Sequence, residues 1–198
     1  SGNGAVRAKI QEITQQTIPY YLRMDFDGFV QLIDAIGGIT IDVDRTVDDR
    51  MYPIDGREAD PVYVNRYEHL VIPNGPVTMD GSLALKYVRS RHAFGAEGSD
   101  FARSKRQQKV LLAVKQKIFS LETIFSPRRL KSIEEILSTH IATNLQPWEV
   151  LRLRSIIATV DTANIIHPPL DNSPGSLLAD ARGDDDAFIL VPKSGNFS

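Results

Sequence analysis

The sequence predicts a layered α/β fold. Two observations point there: the apolar period changes repeatedly between helical and alternating spacing, and a strand, a helix and a second strand follow one another between residues 20 and 43. A chain of 198 residues with 42% hydrophobic side chains has enough apolar material for one core, so a single domain over residues 1–198 is expected.

In order along the chain, Ile10 and Ile13 among polar residues predict a helix over 5–16, ended before Pro19. The aromatic-rich 20–26 reads as a strand. Asp27 is the expected N-cap of a helix through Phe29, Val30, Leu32, Ile33 and Ile36, which Gly37-Gly38 terminates. Residues 39–43 alternate as a second strand. Residues 20–43 therefore form a βαβ unit or two antiparallel strands bridged by a helix. Residues 44–68 are polar, contain Pro53, Gly56 and Pro61, and read as a long irregular excursion.

A short strand is expected at 69–73, and a helix capped by Asp80 that runs to Arg89. A two-glycine loop follows at 92–99, then a long helix over 101–120 with Asp100 as N-cap and Val110, Leu111, Val114 and Ile118 on one face. Pro127 opens a helix to Ser138, and Pro147 opens another through Val150, Leu151, Leu153, Ile156 and Ile157. Ile165-Ile166 and 188–191 read as closing strands.

Net charge is −2, so no global field draws nucleic acid or an anionic membrane; an anion site must come from local clustering. The chain has no cysteine, which excludes disulfides, thiolate metal sites and cysteine nucleophiles. No apolar run approaches the roughly 18–20 residues of a spanning helix. The local cluster lies in residues 86–109, where Lys86, Arg89, Arg91, Arg103, Lys105, Arg106 and Lys109 face only Glu97 and Asp100, a local charge of +5. Arg89 ends one helix, Arg91 follows it, and Arg103 falls in the first turn of the next, with Arg106 and Gln107 at i+3 and i+4. Helix N-termini favour anions, and a guanidinium fork pairs with phosphate oxygens in a way that an ammonium does not. This spacing suggests a diphosphate cradle, with Asp100 orienting Arg91 or Arg103.

The segments MDFDGFVQLIDAIGGITIDV (24–43), MDGSLALKYVRSRH (79–92) and SDFARSKRQQKVLLAVKQKI (99–118) occur in the order and spacing of the LytR-CpsA-Psr family, which the chain resembles over most of residues 5–170. The resemblance implies a three-layer α/β/α sandwich around a mixed central sheet. It implies a cell-wall-biogenesis phosphotransferase, membrane-anchored with its catalytic domain on the extracellular face of the bacterial cytoplasmic membrane. Such an enzyme transfers a glycopolymer (teichoic acid, capsule or arabinogalactan) from a polyprenyl-pyrophosphate carrier to peptidoglycan. Arg89, Arg91 and Arg103, with Arg106, would bind pyrophosphate, and Asp100 and Gln107 would complete the catalytic set. Phe29, Leu32, Ile33, Ile36, Val110 and Val114 would line a lipid pocket or simply form core.

The family's Mg²⁺ would be held by carboxylates that precede the first helix of this chain, so no metal ligand is expected within it. The chain is accordingly expected to be the C-terminal two-thirds of a catalytic domain, without the N-terminal strands and unable to catalyse transfer alone. The older label of transcriptional attenuator, attached to this family, is no sign of DNA binding.

Two other classes remain: a non-catalytic binder of polyprenyl-linked sugars, and a nucleic-acid module using the same basic cluster. Only Tyr87, Phe94 and Phe101 stand near the cluster to stack bases. His69, His92, His140 and His167 lack metal-ligand spacing, and Asp42, Asp44, Asp48, Asp49 and 184–186 read as solvated acidic patches.

Overall fold

A computed structural model of the chain describes residues 2–146, 148–149, 177–183 and 186–195. The chain divides into two compact units, Ser1–Leu145 and Gln146–Ser198. The described part of the second is a hairpin of β7 (Leu178–Arg182) and β8 (Phe188–Pro192), in antiparallel register from Leu178 opposite Pro192 to Arg182 opposite Phe188. The helix expected from Pro147 onward and the strand at Ile165-Ile166 fall largely outside the described residues.

The first unit holds α1 (Gly2–Thr14), β1 (Leu22–Met24), α2 (Phe26–Ala35), β2 (Ile39–Val43), β3 (Val47–Pro53), β4 (Tyr67–Ile72), β5 (Gly75–Met79), α3 (Gly81–Arg89), α4 (Asp100–Ile118), α5 (Leu121–Ile124), α6 (Pro127–His140) and β6 (Ile141–Thr143). After α1, β1 and α2 come four strands (β2–β5), four helices (α3–α6) and β6, so the unit mixes helices and strands as expected of an α/β chain but does not alternate them. The ladders among the described residues are two-stranded and antiparallel: β1 with β6, β2 with β5, β3 with β4. The flanks of the expected βαβ unit, β1 and β2, therefore join different ladders, and a mixed central sheet is not found among the described strands.

Local chemistry accounts for most boundaries. Asp25, not Asp27, caps α2, accepting from the Gly28 amide at 2.7 Å. Gly37 and Gly38 follow α2 with φ of +85° and +80°, conformations that a side chain resists. Ser99, not Asp100, caps α4, accepting from the Ala102 amide at 3.1 Å, which leaves the Asp100 carboxylate free to turn outward. The excursion expected at 44–68 is instead largely ordered: β3 pairs with β4 from Val47 opposite Ile72 to Pro53 opposite Tyr67. β5 was not foreseen, since Gly75 and Pro76 weaken the strand signal; Pro76 sits on an edge opposite Asp42.

The core lies where α2, α3 and α4 meet β2 and β5. Ile33, Ile36, Ile39, Ile41, Val43, Ile72, Met79, Tyr87 and Val110 are among its buried members. Four side chains considered as a lipid lining, Leu32, Ile33, Ile36 and Val110, are packed inside this core, and Phe29 and Val114 pack against it half-buried. In this structure they stand as core, the second of the two alternatives. Leu111, expected on the inner face of α4, points to solvent. Among the described residues no helix is long and apolar enough to cross a membrane.

Candidate functional site

The arginine cluster is built by a reversal between α3 and α4. Ser90 closes α3, its amide donating to the Lys86 carbonyl. Residues 92–94 then run antiparallel beside β3, with Ala93 bridged to Asp49 and the Phe94 amide donating to the Asp48 carbonyl at 2.9 Å. A short 3-10 turn, Gly95–Gly98, sends the chain back into α4. Gly98 is required there: a β-carbon would stand 2.3 Å from the Ala93 carbonyl oxygen.

The reversal brings three predicted residues together. Asp100 Oδ1 lies 3.0 Å from Arg103 Nη2 and 3.9 Å from Arg91 Nη2, so one carboxylate faces two guanidinium groups at the start of α4. Asp100 and Arg91 are well exposed, at 72% and 62%, while Arg103 is 28% exposed. Gln107 is exposed one turn further along α4.

Arg89 stands with different partners. It makes a paired bridge to Asp55, at 2.9 and 3.0 Å, and its guanidinium lies 4.7 Å over the Phe26 ring. The guanidinium holds the Asp55 carboxyl below the usual carboxylate range, and Asp55 in turn raises the pKa of Arg89. Neither Asp55 nor Phe26 was found by sequence reasoning, because Asp55 sits in the supposed irregular loop.

Arg106 is not part of the cradle. Its side chain is 3% exposed, and it donates to the carbonyls of Tyr87 (3.0 Å), Ser90 (2.7 Å) and Glu97 (2.8 Å) and to Glu97 Oε2 (2.9 Å). A phosphate could reach it only by breaking this network, which corrects its assignment to pyrophosphate binding. Its role is to tie the end of α3, the 95–98 turn and α4 into one frame. Asp49 finishes that frame. Fully buried on β3, it accepts from Ser90 Oγ at 2.7 Å, the His92 amide at 3.2 Å and the Met51 amide at 3.0 Å. Ser90 and Arg91 are thereby fixed from both sides.

Pairing across the cluster is extensive. Lys86 meets Glu68, Lys105 and Lys109 both meet Asp44, and Lys109 also donates to the Asp42 carbonyl at 2.7 Å. The two lysines hold the Asp44 carboxyl below its ordinary value. The acidic patch around Asp42 and Asp44 thus serves to dock α4 on β2. For the bases of residues 86–109, one carboxylate serves two at Asp100, met by Arg91 and Arg103, and at Asp44, met by Lys105 and Lys109. Among the described residues no three acidic or histidine side chains are grouped so that they could hold a metal ion. Asp55, Glu97 and Asp100 are each engaged by arginine, so these residues do not fit the Mg²⁺ that the resemblance implies.

The model of the LytR_cpsA_psr family matches residues 1–176. The chain belongs to that family. Among relatives, the teichoic acid transferase TagV of Bacillus subtilis is 28% identical over 172 residues, 84% of this chain and 40% of TagV. The cell wall biosynthesis protein LcpA of Corynebacterium glutamicum is 25% identical over 156 residues, 79% of this chain and 26% of LcpA. The crystal structure of B. subtilis TagV superposes with a TM-score of 0.61 at 25% identity, covering 93% of this chain and 62% of the other. The chain thus spans between a quarter and two-fifths of the length of these curated relatives, and its α/β fold is that of the family.

Proposed function

We propose that the chain is the arginine-bearing part of a cell-envelope phosphotransferase that moves a glycopolymer from a polyprenyl-pyrophosphate carrier to peptidoglycan, acting on the outer face of the cytoplasmic membrane. The observation that supports this most is the convergence of Arg91 and Arg103 on Asp100 at the amino end of α4. An exposed ion pair is worth about 0–1 kcal/mol, so a diphosphate displaces or joins the Asp100 carboxylate at little cost. It then gains two guanidinium partners and the favourable end of a helix. Arg89, released from Asp55 or sharing it, extends the positive wall.

In the reaction an acceptor hydroxyl oxygen bonds to the sugar-linked phosphorus, the bridging P–O bond breaks, polyprenyl phosphate leaves and the hydroxyl proton passes to solvent. The arginines stabilise the charge that grows on the leaving phosphate. Asp100 positions them. Mg²⁺ would add charge neutralisation, but no step is assigned to it because the described residues offer it no cage. That same feature favours, as a second reading, a chain that binds the carrier without turning it over.

Calorimetric titration with inorganic pyrophosphate tests the binding. Arg103→Lys keeps the charge but loses the paired fork, and should weaken affinity by about tenfold or more. Equal affinity in the two proteins would overturn the proposal. Turnover of a polyprenyl-pyrophosphate-linked sugar, measured alongside, separates enzyme from binder.

A further inference from the structure

The loop that supplies Asp55 carries a second, unassigned cluster. Residues 54–66 leave β3 and return to β4, and the loop is closed at its base: Pro53 pairs with Tyr67, and the Ile54 amide donates to the Arg66 carbonyl at 2.9 Å. Inside, Asp60 accepts from the Val62 amide at 2.8 Å, and Arg66 Nε donates to the Asp60 carbonyl at 2.8 Å. The 3-10 turn Tyr63–Arg66 then sets the Tyr63 and Tyr67 rings 5.1 Å apart, inclined by 57°, with the Arg66 guanidinium 5.5 Å over Tyr63. The neighbouring Tyr63 phenol raises the pKa of Tyr67. Tyr63 is 57% exposed, and Asn65 beside it is exposed as well.

A braced, solvent-facing aromatic pair is an expensive surface to keep unless something covers it. Tyrosine combines an apolar ring face with a polar tip and suits partners that are themselves part apolar and part hydroxylated. A pyranose is such a partner: its C–H face lies on an aromatic ring while its rim hydroxyls and acetamido group bond to phenol, amide and guanidinium. Because the loop is already ordered by Asp60 and Arg66, little freedom is lost on binding. The paired Asp55–Arg89 bridge fastens this loop to the end of α3, two residues before Arg91.

We propose that Tyr63, Asn65, Arg66 and Tyr67 form a saccharide subsite, seating a pyranose unit of a glycan on the loop whose Asp55 pairs with Arg89. The inference rests on the phosphotransferase reading and adds to it the place where sugar is held.

The test uses chitotetraose, a tetramer of β-linked N-acetylglucosamine, with the full 198-residue chain, by saturation-transfer NMR and calorimetry. Binding is expected with transfer from tyrosine ring protons. Truncation of an aromatic anchor that a ligand covers commonly costs an order of magnitude in affinity, so Tyr63→Ala should weaken it about tenfold. Tyr63→Phe, which keeps the ring, should stay within about threefold. If a Tyr63→Ala protein with unchanged circular dichroism binds the tetrasaccharide like wild type, or wild type does not bind it, the subsite is overturned. Pyrophosphate titration of the same wild-type sample separates the two claims. A chain that binds pyrophosphate but not tetrasaccharide refutes the subsite alone. A chain that binds tetrasaccharide but not pyrophosphate supports the subsite and refutes the arginine reading.

Discussion

Arg103 and Arg106 are three residues apart on α4, yet one faces the candidate site and the other is sealed under it. Sequence spacing placed both on a shared face, and a count of charges could not say which would turn inward. The signal that distinguishes them is the apolar stripe: Arg106 lies one turn before Val110, the most buried side chain of α4. The cost of burying a guanidinium is offset only while its partners remain. Arg106→Leu would strand the Glu97 carboxylate, itself 15% exposed, and three carbonyls, and should destabilise the protein by about 3–5 kcal/mol. Urea unfolding measures this, and a loss below about 1 kcal/mol would show the network to be dispensable. Arg91, Asp100 and Arg103 were legible because their chemistry is exposed and close in sequence. Asp49 and Asp55 were not, because Arg89, Ser90 and His92, which they bind, lie 34 to 43 residues away.

At the scale of elements, β3 was missed because the inward position between Val47 and Tyr52 is filled by a buried carboxylate, Asp49, which breaks the apolar alternation. Helices with a clear cap and stripe, α2, α3 and α6, were found within a few residues. What sequence could not show was how closely they pack. Gly81 begins α3 against α2 so tightly that a β-carbon would fall 2.1 Å from the Val30 carbonyl oxygen, while its amide donates to Asp34 at 2.7 Å. Gly81→Ala should force the helices apart and lower stability by about 1–3 kcal/mol, visible as a reduced Tm.

The junction of α4, α5 and α6 gives a different signature. Lys117 and Arg129 flank Glu122 and hold its pKa at about 2, against an ordinary 4.5. A carboxyl depressed by folding stabilises above its unfolded pKa and loses that effect as pH falls through the folded one. The Tm difference between wild type and Glu122→Gln should therefore be constant above about pH 5, shrink between 4.5 and 2, and diminish with added salt because the group is exposed. A difference independent of pH would show that the carboxylate charge contributes nothing.

Across the whole molecule, the basic stretch 86–109 looks in sequence like a surface for polyanions, with a local charge of +5. Folding changes that picture. Each of its seven basic side chains meets a carboxylate, and Glu68, Asp55 and Asp44 come from parts of the chain distant in sequence. The residual positive charge is confined to Asp100 and Asp44, where one acid serves two bases. A duplex presents a phosphate every few ångströms and is bound by stripes of unpaired lysine and arginine, with affinity falling by about 0.9 log units per contact for each tenfold rise in salt. A small dianion needs only one doubly cationic point. The chain should therefore take pyrophosphate while showing no saturable binding of a 20-base-pair duplex below about 100 µM at 0.15 M salt. Fluorescence anisotropy across a salt series measures it. Micromolar DNA affinity with a steep salt slope would mean that the carboxylates yield collectively to a polyanion, and the nucleic-acid reading of the cluster would displace the diphosphate one.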